Sequence, residues 1–417
     1  MNRQIVCVES PDFLVTELAS IAVGQGDTVV ALSKDGRFED GVPVVRADVR
    51  GDLHGAITGL KEAGIAPDAV ITGQEMFLTH TAALADAFGV ARVPSAAVAS
   101  ARDKALMKRA WLSAGVPTPL GRHDRVTTDI AHLTEGMEYP LIVKPTMGYA
   151  SCGVRRVDSP SELREQIRNV QILNATVVAR EGTRRSDLLI EEYIDGPEFS
   201  VDTVWFDGEP LCDGVLSKGQ LPGPFFPDRL YYVDPHLPAT SRSAIVDVSH
   251  RAARALGITH GATHTEIRFR GDEPYVLETT NRPGAGGLFY GLFAAAYGVD
   301  FYGAYYHAAV ATGVEQLRRQ VNVEAVRAPQ DGEYFFWYNI PSRGTGVIRE
   351  IRGVDRLAAR PEITRCLSYK QPGAMLYPPG LEVDYFCSVL GRYIRQAGSP
   401  PLETFVTGYD DALEVIL

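Results

Sequence analysis

The stretch "HGATHTEIRFRGDEPYVLETTNRP", residues 260–283, limits the fold most narrowly. It holds two runs of alternating apolar and polar residues separated by "RGDEP", a turn-forming segment, and so reads as an antiparallel hairpin. Successive side chains on a strand point to opposite faces. His264, Glu266 and Arg268 therefore share one side of the first strand, and Val276, Glu278 and Thr280 one side of the second. A three-residue loop of Gly271, Asp272 and Glu273 sets Glu266 directly opposite Glu278. Facing carboxylates repel by roughly 0.2–1 kcal/mol on an exposed sheet and by much more where water is excluded. The pair is thus either solvated on an open face or neutralised by a cation. Magnesium meets the second case, because it accepts one or two carboxylates and completes its shell with water and phosphate oxygens. Asn281, just past the strand, offers a third protein oxygen.

Upstream, "QIVCV" (4–8), "DTVVAL" (27–32) and "AVIT" (69–72) have the character of buried strands, with helical patterns "LVTELASIAVGQG" and "AITGLKEAGI" between them. That alternation indicates a parallel, doubly wound α/β sheet. No GxGxxG follows the first strand, so a dinucleotide is not expected there. "ARDKALMKRAWLSAGVPTP", 101–119, reads as one helix ended by glycine and followed by two prolines, an exit into a second, α+β region. A chain of 417 residues exceeds one ordinary core, and the expected division is 1–100, 101–315 and 316–417. The last part, with "GTGVIREIRGVDRL" and "PGAMLYPP", reads as a small lobe of short strands and a closing helix or two.

Three further constellations carry chemistry. "LLIEEYIDGPEFSVDTVWFDGEP", 188–210, crosses between two strands, with Glu191 and Glu192 before the crossing and Glu198 after it. Backbone groups freed at such a crossing suit the edge of a flat heterocycle, and a carboxylate nearby suits two ribose hydroxyls; a hairpin with surface acids is the alternative. Lys144 stands inside the apolar run "IVKP", where a buried charge needs a partner such as phosphate, and Lys104 stands in "DKALMK". The loop 146–154, "TMGYASCGV", has glycines and free backbone donors suited to a mobile cover over phosphates, although no Walker loop is present. "LSKGQLPGPFFPDRLYYVDP", 216–235, is aromatic and proline-rich with Lys218 near its start, and is either part of a substrate pocket or a packed connection. "GAGG", 284–287, either receives a substrate carboxylate or is a plain turn.

A formal net charge of −11 argues against a general nucleic-acid surface and leaves room for a basic pocket that takes a small anion. The five cysteines are scattered, without a CxxC pair or zinc spacing, which suits a reduced, cytoplasmic protein. No signal peptide, membrane span or internal repeat is expected.

Taken in order, "DK...K" with "GVPTP", "IVKP", the loop ending "SCGV", "IEEYIDGPEFSVD", "THTEIRF" and "LETTNRPGAGG" resemble the ATP-grasp superfamily, and within it the L-amino acid ligases and related carboxylate–amine ligases. The resemblance covers nearly the whole chain. It implies an N-terminal pre-ATP-grasp domain, central nucleotide-clamping lobes and a small C-terminal lobe. It further implies ATP and magnesium or manganese as cofactors, with Lys104, Lys144 and the 146–154 lid, including Ser151, at the phosphates. Glu191, Glu192 and the backbone of Ile194 would form the adenine hinge, and Glu198 the ribose site. Glu266 and Glu278 match the metal acids, and Arg282 matches the arginine of the E-x-N-x-R signature that steadies the reacting acyl phosphate. The family's asparagine falls on Thr280, with Asn281 one residue later, so which of them is the third ligand is open. His264 either touches substrate or supports the strand; with Lys218 and Arg282 it completes the catalytic candidates.

The activity implied is ATP-dependent ligation of an amino acid to another amino acid or small carboxylic acid through an acyl phosphate, releasing ADP and phosphate. A carboxylase or purine-pathway acceptor, or a non-catalytic nucleotide-binding protein, are the rivals. Expected partners are small-molecule substrates only, with a homodimer left open.

Overall fold

The computed structural model describes residues 2–38, 41–125, 130–148, 150–176, 187–221, 223–377, 380 and 385–417. The first sheet is parallel, in the order Val44–Val45, Thr28–Leu32, Gln4–Val8, Ala69–Ile71. After polar first residues Gln4 and Thr28, its two central strands are apolar and buried throughout because both faces are covered. Ile5, Cys7 and Ala31 join one core, while Val6, Val8, Val30 and Leu32 join another.

The main sheet is antiparallel and eight-stranded, in the order Glu273–Thr280, Gly261–Arg270, Glu198–Phe206, Glu209–Lys218, Leu230–Val233, Glu333–Pro341, Tyr385–Ile394, Ile363–Ser368. It draws strands from both sides of residue 315. The apolar helices Leu288–Tyr297 and Phe301–Val310 fill the space between this sheet and the parallel one, and a single core runs through all three layers. Helix Ala239–Ala255 covers the opposite face, against Val201, Trp205, Ile267 and Val276. A separate four-stranded antiparallel sheet, Gly121–Arg125, Asp187–Glu192, Leu141–Pro145, Arg155–Val157, has its own core closed by helix Pro160–Thr176. Among the described residues no helix is long and apolar enough to cross a membrane.

Residues 101–113 differ from the single helix expected. Ser95–Arg102 ends and Lys104–Ser113 begins across Asp103, which is extended (φ −105°, ψ 110°) and accepts bonds from the N–H groups of Ala105 and Leu106 at 2.8 and 3.2 Å. An aspartate that caps its own downstream turn competes with continuing the helix, and here the cap wins.

The 260–283 hairpin forms with Glu266 paired to Glu278, by a different route from the one expected. Arg270 pairs with Glu273, so the loop is only Gly271 and Asp272, with Gly271 at φ 60°. A bulge between Glu266 and Ile267 then sets Leu277 and Glu278 against one partner residue and restores the pairing of the acids. The bulge also corrects the face of Val276. That side chain lies in the core behind the sheet, while Leu277 and Glu278 both line the cleft in front.

Candidate active site

A cleft of about 980 Å³ lies where the parallel sheet, the main sheet and the small four-stranded sheet converge. Glu266, Glu278, His264 and Arg282 line it from the hairpin side; Lys144, Glu191, Glu192, Ile194 and Ser151 line it from the small sheet and its loop; Lys104 and Glu198 close the ring. Tyr149, within the predicted lid, falls outside the described residues.

The acids are held by lysines. Lys104 Nζ donates to Glu278 Oε1 at 2.8 Å, and Lys218 Nζ to Glu266 Oε1 at 3.1 Å. Lys218 is not itself a lining residue. It lies beneath the floor, where its ammonium also meets Glu198 at 2.5 Å and Asp228 at 2.9 Å. Burial alone would lower its pKa, yet this carboxylate ring raises it well above the ordinary lysine value. Burial likewise raises Glu266, but Lys218 and His264 outweigh it and hold the carboxyl well below its usual range.

Lys144 has a protein partner as well. Glu191 spans two ammonium groups, with Oε2 at 2.6 Å from Lys144 and Oε1 at 2.6 Å from Lys108. All three side chains are buried, so the triad is screened little by solvent. Burial raises the Glu191 pKa, and Lys108 and Lys144 more than reverse that. Glu198 is shared between Lys218 and Arg268, the latter at 2.6 Å, and Arg268 also donates to the Ile194 carbonyl at 2.9 Å. Glu192 accepts from the Leu120 N–H and from Arg270.

His264 donates through Nδ1 to Asp202 at 3.1 Å, and Asp202 in turn accepts from the Gly284 N–H at 2.6 Å. Burial lowers the imidazole pKa, but Asp202 and Glu266 carry it up to about 9, so the ring is charged at neutral pH. A Cβ on Gly284 would lie 2.6 Å from Asp202 Oδ2 and His264 Nδ1, which explains the glycine at this close approach.

Arg282 donates through Nε to Glu75 at 2.9 Å and through Nη1 to the Pro283 carbonyl at 2.9 Å, which fixes its plane and leaves Nη2 for an anion. Glu75 opens the short turn Glu75–Phe77 that follows the parallel strand Ala69–Ile71, and it also accepts from Thr280 at 2.5 Å. Burial raises its pKa, while Arg282 and Arg102 bring it below the ordinary value.

Asn281 departs from expectation. Alternation along the strand keeps Glu278 and Thr280 on the cleft side and turns Asn281 away, so that its amide donates to the Ala262 carbonyl at 2.8 Å and that of His260 at 3.3 Å. Among the described residues no group of three or more His, Cys, Asp or Glu is arranged to hold a metal. The Glu266–Glu278 pair nonetheless fits magnesium. Both are hard oxygen donors, their side chains keep 23% and 26% exposure, and the lysine contacts fall on Oε1 of each, leaving Oε2 available.

Sequence reasoning missed Lys108, Asp202, Arg268 and Glu75. The first two had a signal: Lys108 follows Lys104 by one helical turn, and Asp202 shares the strand face of Glu198. Arg268 was read on the correct face without a role. Glu75 had only its place just beyond the carboxyl end of a parallel strand.

Comparison with known proteins agrees with this geometry. Residues 137–289 match the ATP-grasp domain family. Alanine–anticapsin ligase of Bacillus subtilis is 28% identical over 233 residues, covering 52% of this chain and 48% of the relative. An uncharacterised Sinorhizobium fredii protein, y4rH, is 27% identical over 297 residues, 71% of this chain and 57% of the relative. The chain thus spans about half the length of the curated relatives it matches. The crystal structure of an L-amino acid ligase from Bacillus licheniformis superposes with a TM-score of 0.80 at 25% identity, covering 100% of this chain and 98% of that one. Cleft, fold and sequence match agree: the chain has the ATP-grasp fold, and its residues 137–289 match the ATP-grasp domain family.

Proposed function

We propose that this protein is an ATP-dependent carboxylate–amine ligase that joins an amino acid to another amino acid or small carboxylic acid through an acyl phosphate, releasing ADP and phosphate. One observation carries the reading: a facing pair of acids and the cations Lys104, Lys144 and Arg282 line a single cleft, with Lys218 directly beneath it. A carboxylate oxygen is a poor leaving group. Phosphorylation by ATP converts it into a good one, and such a transfer needs mostly positioning and charge neutralisation from the protein.

In this reading adenine lies between Ile142, Val154 and Leu277, with its polar edge at the backbone of Tyr193 and Ile194. Each oxygen of Glu198 already accepts one bond and has capacity for a ribose hydroxyl. Lys104 and Lys144 bind phosphate oxygens, and the 146–154 loop covers them and excludes water from the acyl phosphate. Glu266 and Glu278 would hold magnesium, which would supply charge neutralisation at the phosphates. Arg282, oriented by Glu75, holds the transferred phosphoryl group and the tetrahedral intermediate that the amine creates. His264, kept charged by Asp202, sits beside Glu266 and contributes a second cation at the reacting carboxylate. The segments 1–100, 101–315 and 316–417 correspond in this reading to the pre-ATP-grasp domain, the nucleotide-clamping lobes and a small C-terminal lobe, the last adding strands to the main sheet. All five cysteines are free thiols, which suits a reducing cytoplasm.

The test is substrate-dependent release of ADP and phosphate with pairs of amino acids and small acids, the product being identified by mass. Release that requires bicarbonate instead of an amine would point to a carboxylase, and nucleotide binding without any substrate-dependent hydrolysis would remove the ligase reading.

A further inference from the structure

Part of the cleft wall is aromatic. Starting beside His264, ring pairs step outward from Phe289 to Trp337 (5.4 Å), Trp337 to Tyr385 (6.2 Å) and Tyr385 to Tyr369 (5.4 Å). The inner rings are buried, with Phe289 1% and Trp337 4% exposed. The outer members are not: Tyr369, Met375 and Tyr377 are 45%, 41% and 51% exposed although all three line the cleft.

Their exposure follows from how the segment is pinned. The strand Met375–Leu376 pairs with Gly346–Val347, and Leu376, at 1% exposure, is its anchor. Period-two alternation then turns Met375 and Tyr377 to the other side, toward the cleft. Backbone bonds from Tyr369 N–H to the Phe386 carbonyl (2.9 Å), Gly373 N–H to the Ile348 carbonyl (2.8 Å) and Ile348 N–H to the Ala374 carbonyl (2.9 Å) fix the frame. Exposed apolar side chains that face a cleft on a fixed frame, here with Ser368 and Lys370 beside them, mark a binding surface. Residues 367–377, "LSYKQPGAMLY", contain no acid, so nothing there complements a cationic side chain.

We propose that this wall selects the acyl donor of the reaction and that the donor is a carboxylic acid with a bulky apolar or aromatic side chain. The inference rests on the ligase reading given above. A carboxylate placed for phosphorylation lies near Glu266 and Arg282. The wall begins beside His264, two residues from Glu266 on the same strand face, so the remainder of that substrate lies along Phe289, Trp337 and Tyr385, with its far end under Tyr369 and Met375.

Hydroxylamine can replace the amine and trap the acyl phosphate as a hydroxamate, which reports the acyl donor alone. With ATP, magnesium and single L-amino acids, phenylalanine and leucine are expected to give a kcat/KM for hydroxamate formation at least about tenfold above alanine, with aspartate and lysine lowest. Tyr369→Ala and Met375→Ala alter exposed side chains and should fold; each is expected to lower the phenylalanine-to-alanine ratio several-fold, mainly through KM. Hydroxamate formed from alanine as readily as from phenylalanine, or a ratio unchanged in both variants, would overturn this inference and leave the ligase reading standing. No ADP or hydroxamate from any acid would overturn the ligase reading and this inference with it.

Discussion

Glu191 bonds two buried ammonium groups at 2.6 Å each, so replacing it with a neutral residue leaves Lys108 and Lys144 facing one another without compensation. Removing one member of a buried ionic group costs on the order of 3–5 kcal/mol. Glu191→Gln should accordingly lower the urea midpoint strongly, and a midpoint equal to wild type would show that the triad is not intact in solution. The same group sets a pH dependence. Glu191 and Glu75 both titrate below the ordinary 4.5. Their contribution to stability is complete above that unfolded value and is lost as pH falls through the lower folded value. The wild-type midpoint should drop as pH falls below the unfolded value of 4.5, and Glu191→Gln should flatten that fall. For chemistry, Glu278→Ala should abolish ADP formation with an unchanged circular dichroism spectrum; turnover by wild type without added magnesium or manganese would contradict the metal role. Lys144 was legible because a charge inside "IVKP" demands a partner. That the partner in the structure is Glu191, from a neighbouring strand, was not legible, since the sequence states the need and only tertiary pairing states which group answers it.

At the level of elements, the hairpin reaches its facing acids by two compensating irregularities. A three-residue loop with an unbroken ladder and a two-residue loop with a bulge both set Glu266 against Glu278, and the sequence does not distinguish them. They differ at Val276, which the bulge sends to the core. Deleting Leu277 removes the extra residue and leaves a regular ladder, in which Glu278 directly follows core-facing Val276 and so stays opposite Glu266 on the cleft side. ADP formation and a cooperative unfolding transition should both survive the deletion, and loss of activity in a folded variant would mean that the bulge itself aims the acid. The break at Asp103 has a similar logic. Periodicity through 101–113 is helical on both sides, so it hides a cap that shows only in the backbone; Asp103→Ala should cost about 1 kcal/mol in thermal or urea unfolding. Strands 4–8, 28–32 and 69–71 were the most legible, because burial on both faces leaves continuous apolar runs that no other local structure explains as well.

Across the molecule, the cleft is assembled from segments far apart in sequence, and the contact between Glu75 and Arg282 at 2.9 Å ties the turn after the strand Ala69–Ile71 to the hairpin side of the cleft. Glu75→Gln should lower kcat by about tenfold or more, with nucleotide affinity by calorimetry nearly unchanged, because Arg282 would lose its orientation while the nucleotide lysines keep theirs. A matched loss of nucleotide affinity would assign Glu75 to the fold instead. The eight-stranded sheet has a further consequence. One unbroken hydrogen-bonded ladder carries both the acids at its Glu273–Thr280 edge and the Trp337 and Tyr385 rings near its other edge. Lys144 and Glu191 sit on a different ladder, joined to helix Lys104–Ser113 through the Lys104 N–H bond to the Thr146 carbonyl. On the proposed function, the reach from the acids to the aromatic wall is then set by one continuous sheet, a ruler built into the protein, while the nucleotide lysine Lys144 belongs to the other. Spin-label distances should shorten between the two ladders when nucleotide binds and stay fixed within the larger one.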